Sequence, residues 1–259
     1  MATLKQIENI LKELLQPELF SDYCPNGLQV EGKSDINRLI TGVTACQALI
    51  DQAVEKKADA ILVHHGYFWK GEDPCLTGIK RKRIATLLEN NISLLAYHLP
   101  LDAHPDLGNN ACVGNLLAKA MSFEKIVPGD VSQLVWQARL KNPVTSKQFR
   151  QHLADALGHQ SLSCVLHIAG GEDAGAIQNL AWCTGAAQGY IDQAVDMGVD
   201  AYISGEVSEQ TVHIARERGV HYFAAGHHAT ERYGVQALGK HLAKTLSIEH
   251  EFIDIDNPV

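Results

Sequence analysis

The chain has 259 residues, of which 46% are hydrophobic and 20% charged, and a net charge of −8. This suits a soluble globular protein with one large domain or two small ones around a real core. No apolar run approaches the ~20 residues of a membrane helix, and the acidic balance argues against a broad grip on nucleic acid, leaving room only for a local basic groove.

MATLKQIENILKELL predicts an amphipathic helix with Leu4, Ile7, Ile10, Leu11, Leu14 and Leu15 on its apolar face and a Thr3–Gln6 capping box. It has neither the basic start nor the apolar centre of a signal peptide, so a cytoplasmic location is expected. The six cysteines are scattered with no C-x-x-C pair, as free thiols in a reducing compartment would be. Asp22-Tyr23-Cys24-Pro25-Asn26-Gly27-Leu28-Gln29 reads either as a turn between helix and strand or as a loop whose Asn26 or Gln29 touches substrate. Strand-like runs follow at Leu39–Val43, Ala60–Val63, Ile92–Tyr97, Leu180–Cys183, Ala201–Ile203 and Tyr222–Ala225. Helical patterns lie between them at Ala48–Lys57, Ile79–Asn90, Tyr190–Met197, Val207–Arg218 and Arg232–Leu246. LVWQARL and LSCVLHIAG are further strand candidates around a helix at Ser146–Leu157. Such alternation predicts an α/β fold with largely parallel sheets.

The chain also repeats itself. QALIDQAVEKKADAILVHHG (Gln47–Gly66) aligns with QGYIDQAVDMGVDAYISGEV (Gln188–Val207) at constant offset, setting His64-His65 opposite Gly205-Glu206. Two pseudo-symmetric α/β lobes are therefore expected, at 1–123 and 176–259, with a small connecting segment at 124–175 and a cleft between the lobes. The ends of that segment are marked by Pro128-Gly129 and Gly170-Gly171.

Four polar clusters fall at the carboxyl ends of strands, where open α/β sheets place ligands: His64-His65, His98 with Asp102, Ser204-Gly205-Glu206, and His227-His228 with Glu231. Imidazole with carboxylate is a donor set for borderline divalent ions. Successive strand residues point to opposite faces, so His64 and His65 share one ion poorly and suit two neighbouring ions. His227 and Glu231 share a helix face if a helix begins that early. The constellation favours a dinuclear site with nitrogen and oxygen ligands.

SDYCPNGLQVEG, VHHGYFWKG, HLPLDAHPDLGNN, SGEVSEQ and GHHATERYG together resemble the NIF-three-like family, the GTP cyclohydrolase I type 2 homologues, over nearly the whole chain, with the short bacterial YbgI-type members most alike. The resemblance implies a dinuclear metal centre, a toroidal homohexamer, and metal ligands at His64, His65, Asp102, His227 and Glu231. Leu99-Pro100 departs from the Thr-Asn pair of many members and alters the loop before Asp102. His98, Glu206 and His104 are candidates for general acid or base.

Tyr67, Phe68 and Trp69 either stack on a flat heterocycle or serve as core or subunit contacts. Lys80-Arg81-Lys82-Arg83 opens a helix, where a phosphate contact competes with a plain solvated face. Gly170-Gly171-Glu172-Asp173 lacks the phosphate-loop pattern, and no G-x-S-x-G elbow supports serine chemistry.

The first functional expectation is a metal-dependent hydrolase holding two divalent ions per chain (iron, zinc, manganese or magnesium) and acting on a nucleotide-like or other small anionic substrate. The second is a ring-shaped scaffold with structural metals, engaging nucleic acid or a protein partner. Five side chains for two ions leave coordination positions open, which favours the enzyme.

Overall fold

The computed structural model describes residues 1–129, 134–170 and 175–259. Gly171, Glu172 and Asp173 of the glycine-acid stretch lie outside the described residues. The chain divides into two compact units, Met1–Gly108 with Gly234–Asp256, and Asn109–Tyr233 with Asn257–Val259.

The first stretch carries β1 (Ala2–Thr3), α1 (Leu4–Leu15), β2 (Gly27–Val30), β3 (Asp35–Ile36), β4 (Arg38–Thr44), α2 (Gln47–Glu55), β5 (Ala60–His65), α3 (Gly78–Glu89), β6 (Ser93–Ala96) and α4 (Leu99–Ala103). The expected capping box forms: Thr3 Oγ1 accepts from Gln6 N at 3.1 Å while Gln6 Oε1 accepts from Thr3 N at 2.8 Å. It satisfies two orphan donors and contributes about 1 kcal/mol. β4, β5 and β6 run parallel, and β2 closes one edge antiparallel. Their apolar runs are buried on both faces, as parallel strands require: Leu39, Leu62 and Leu95 face α1, while Ile40, Ile61 and Leu94 join Leu49, Ile50 and Leu87.

The second unit is built from α5 (Asn109–Ala120), β7 (Phe123–Val127), β8 (Trp136–Val144), α6 (Ser146–Ala156), β9 (Leu166–Ile168), β10 (Ile177–Trp182), α7 (Ile191–Asp196), β11 (Ala201–Ser204), α8 (Glu209–Glu217) and β12 (His221–Ala224). Its sheet has the order β7-β8-β10-β11-β12-β9: β10, β11 and β12 are parallel, and the flanking strands are antiparallel. Trp182, Phe149 and Phe223 are buried at its core.

Helix α9 (His227–Leu246) follows, five residues longer at its start than its apolar pattern predicts. From Gly234 onward it belongs to the first unit, where Val235, Leu238 and Leu242 pack with Ile7 and Leu11. β13 (Glu249–Phe252) then adds parallel to β4 as the other edge of the first sheet. Its glutamates pair along that edge, Glu249 with Arg38 and Glu251 with Lys56.

The internal repeat has a structural counterpart in each unit. Asp59 Oδ2 accepts from Asn37 N and Arg38 N at 2.9 and 3.0 Å. At the same offset, Asp200 Oδ2 accepts from Gln178 N and Asn179 N at 2.9 and 2.7 Å. Each carboxylate ties the start of its own strand to the strand beside it.

Candidate metal centre

In the first unit, β5 ends on the two histidines. His64 is fully buried, and its Nδ1 donates to the Tyr97 carbonyl at 2.9 Å. That bond fixes the tautomer and leaves Nε2 as the nitrogen that could ligate an ion, the usual arrangement for a metal-binding imidazole. Nε2 stands 3.5 Å from Oδ1 of Asp102, which is buried in α4. His65 Nδ1 lies 3.1 Å from Thr44 Oγ1. The two rings are 4.6 Å apart, so strand alternation does not separate them at these terminal positions.

Gly66 is required by packing: a Cβ there would overlap Gln29 Oε1 and stand 2.6 Å from Ala96 Cβ. Gln29 clamps the turn, accepting from Tyr67 N at 2.7 Å and donating to Tyr67 O at 3.1 Å. Tyr67 is a core residue whose hydroxyl donates to Ala45 O, and Trp69 sets its ring 5.1 Å from that of His98. The basic run on α3 starts with Lys80, tied to Glu72 at 3.3 Å and to the Asp73 carbonyl.

His98 immediately precedes α4, with Pro100 in the helix's first turn. Its backbone N donates to Asn26 Oδ1 at 2.7 Å, and its Nδ1 donates to Asp22 Oδ1 at 2.7 Å. Asp22 also accepts from Tyr23 N, Asn26 Nδ2 and Leu99 N. Burial opposes its charge, but the hydrogen bonds from His98 and Asn26 prevail and hold its pKa down to about 2. His64, His65 and His98 each offer a nitrogen within 4.8 Å of the others. His104 stands apart: its Nδ1 accepts from Asp106 N and Leu107 N, and burial lowers its pKa. Among the described residues it belongs to no such cluster.

In the second unit, His227 opens α9 and reaches Glu231 one turn on, Nε2 to Oε2 at 3.0 Å. Its Nδ1 donates to Glu206 Oε1 at 2.7 Å. Burial disfavours the protonated ring, but Glu231 first and Glu206 second raise its pKa to about 9. Glu206 is in turn approached by Gln188 Nε2 at 3.4 Å. It is thus engaged with His227 itself. His228 is buried and, among the described residues, belongs to no cluster of close donors.

Gly185 sits against this pair with φ +70°, and a Cβ there would overlap Glu231 Oε1 and stand 3.2 Å from His227 Nε2. Its N donates to Thr230 Oγ1 at 3.1 Å, while its carbonyl accepts from Ser204 Oγ and Gly205 N. Neither Gly185 nor Asp22 is singled out by sequence reasoning. Extending the repeat upstream finds the first, since Gly185 falls opposite Thr44, the partner of His65. No local pattern identifies Asp22, whose partner is 76 residues away.

A family model described as Duf34/NIF3 (NGG1p interacting factor 3) matches residues 2–258. The GTP cyclohydrolase 1 type 2 homolog of Pseudomonas aeruginosa is 57% identical over 241 residues, spanning 92% of this chain and 91% of that protein. The solved structure of protein ybgI, described there as of unknown function, is 47% identical, superposes with a TM-score of 0.90, and is matched over 99% of this chain and 100% of its own. A crystal structure from Thermus thermophilus is 30% identical with a TM-score of 0.85, over 99% of this chain and 100% of that one.

Proposed function

Because the chain belongs to the Duf34/NIF3 family, we propose that it is a dinuclear metal-dependent hydrolase with His64, His65, Asp102, His227 and Glu231 as ligands. One observation carries the reading. In each unit a buried carboxylate stands beside the Nε2 of an imidazole whose Nδ1 is already engaged, Asp102 beside His64 and Glu231 beside His227. Mixed nitrogen and oxygen donors of this kind fit borderline divalent ions, and the lack of a Cβ at Gly185 lets the Glu231 carboxylate stand against the backbone there. Two such ions, when bound, supply Lewis acidity and a water of lowered pKa.

The remaining steps belong to the chain. The Tyr97 carbonyl orients His64 and Glu206 orients His227. His98, with its proton fixed on Nδ1 by Asp22, presents Nε2 as a proton acceptor toward substrate. The relatives' name supports a nucleotide-like or other small anionic substrate, and we extend the proposal to a hexameric ring in the cytoplasm. No helix among the described residues is long and apolar enough to cross a membrane.

Metal stoichiometry by mass spectrometry tests the site, on protein purified without chelators beside a His64→Ala, Glu231→Ala double variant. About two ions per chain, lost in the variant, support the proposal and lead to a screen of nucleotides for turnover. A folded wild type that carries no metal and refuses added ions overturns it.

A further inference from the structure

Beside the histidine cluster lies a feature whose cysteine the hydrolase reading does not use. A groove of about 660 Å³ lies beside α1, lined by Lys5, Glu8 and Lys12 of that helix and by Asp22, Cys24 and Asn26. Asp22, Cys24 and His98 each offer one donor atom, an oxygen, a sulfur and a nitrogen, all within 4.8 Å of one another. The clamp on His98 explains Asp22 and Asn26 but not Cys24. Its thiol is buried next to an ionised carboxylate, and burial first and Asp22 second push its pKa up to about 12. A cation at this spot reverses that penalty, because a coordinated thiol gives up its proton.

We infer that Asp22, Cys24 and His98 form a separate site for a thiophilic divalent cation such as zinc, reached from the groove beside α1. Sulfur, imidazole and carboxylate donors, with water from the groove as fourth ligand, make a tetrahedral set suited to zinc, cobalt or cadmium. Ligand bonds of about 2.0–2.3 Å space such donors roughly 3.5 Å apart. The Asp22–His98 pair, at 2.7 Å, therefore opens slightly as Cys24 swings in. On binding, the Cys24 thiol loses its proton to solvent and the His98 proton moves from Nδ1 to Nε2. The two uses of His98 thus exclude each other. The site rests on the proposed function only in sharing His98, and it is tested separately from the five-ligand centre, whose ligands include no sulfur.

The probe is cobalt(II) added to the metal-stripped full chain under reducing conditions. The expected result is a thiolate-to-cobalt charge-transfer band in the near ultraviolet, lost in Cys24→Ser and retained in the His64→Ala, Glu231→Ala variant. Absence of the band in wild type at saturating cobalt, or its persistence in Cys24→Ser, overturns the proposal. So does its loss in the double variant, which would put the thiolate in the other centre. A second measurement needs no variant: in wild type, zinc slows alkylation of Cys24 but not of the exposed Cys75 and Cys164. Equal Cys24 rates with and without zinc also refute the site.

Discussion

Replacing Gly185 with alanine probes whether the lack of a Cβ beside Glu231 is part of the site's construction. Two penalties act there. At φ +70° an L side chain costs about 1–2 kcal/mol, partly offset by the loss of glycine's freedom in the unfolded chain. The added Cβ also overlaps Glu231 Oε1 and lies 3.0 Å from its Cδ, so a buried carboxylate must shift. Forcing bulk into a packed site costs about 1–3 kcal/mol more. Gly198 supplies the control: its φ is +74°, and a Cβ there meets nothing within 4 Å. Gly198→Ala therefore carries the backbone term alone. The assay compares denaturant midpoints and metal content of the two variants with wild type. Gly185→Ala is expected to be the less stable by about 1–3 kcal/mol and to lose metal affinity by about 10–100-fold, as displaced supports of metal ligands do. Gly198→Ala keeps wild-type metal. Equal stability and equal metal in the two variants would refute the reasoning.

Glu206→Ala removes the acceptor that orients His227 and is expected to weaken metal binding by about 10–100-fold. Glu206→Gln, which can still accept from Nδ1, recovers part of it, and calorimetric titration with zinc reads the difference. Asp22→Asn should cost on the order of 1–2 kcal/mol at neutral pH. Its folded pKa of about 2 lies below the usual 3.8, so the contribution is complete above pH 4 and fades toward pH 2. Urea melts at pH 7 and pH 3 should show the deficit shrinking, and a deficit independent of pH sinks the assignment. Asp59→Ala and Asp200→Ala each strand two backbone N–H groups and should cost about 2–3 kcal/mol apiece by the same melts.

Much of the fold is legible because its signals are local. The Thr3–Gln6 box, the apolar runs that become β4, β5 and β6, and the helix at Ser146–Ala156 each rest on residues a few positions apart. The repeat was also readable, since its aspartates do the same work in both units. Likewise, the spacing of His227 and Glu231 gave their pairing once the helix started at His227. What stayed hidden depends on distant partners. β2 begins on a glycine and has an interrupted pattern, and it becomes a strand only by pairing with β6. Glu249-His250-Glu251-Phe252 carries no sign that it will join β4, more than two hundred residues earlier. Gln29 and Asn26 offered polar groups for a substrate, but the backbones of Tyr67 and His98 claim them.

The glutamates of β13 also bear on how copies of this chain meet. An open sheet edge is a template on which another chain can polymerise. Here that edge reads Glu-His-Glu-Phe, with both carboxylates exposed and paired to Arg38 and Lys56 of the same chain. A second copy docking its own β13 alongside would crowd acid against acid. Strand-to-strand growth is therefore disfavoured at this edge.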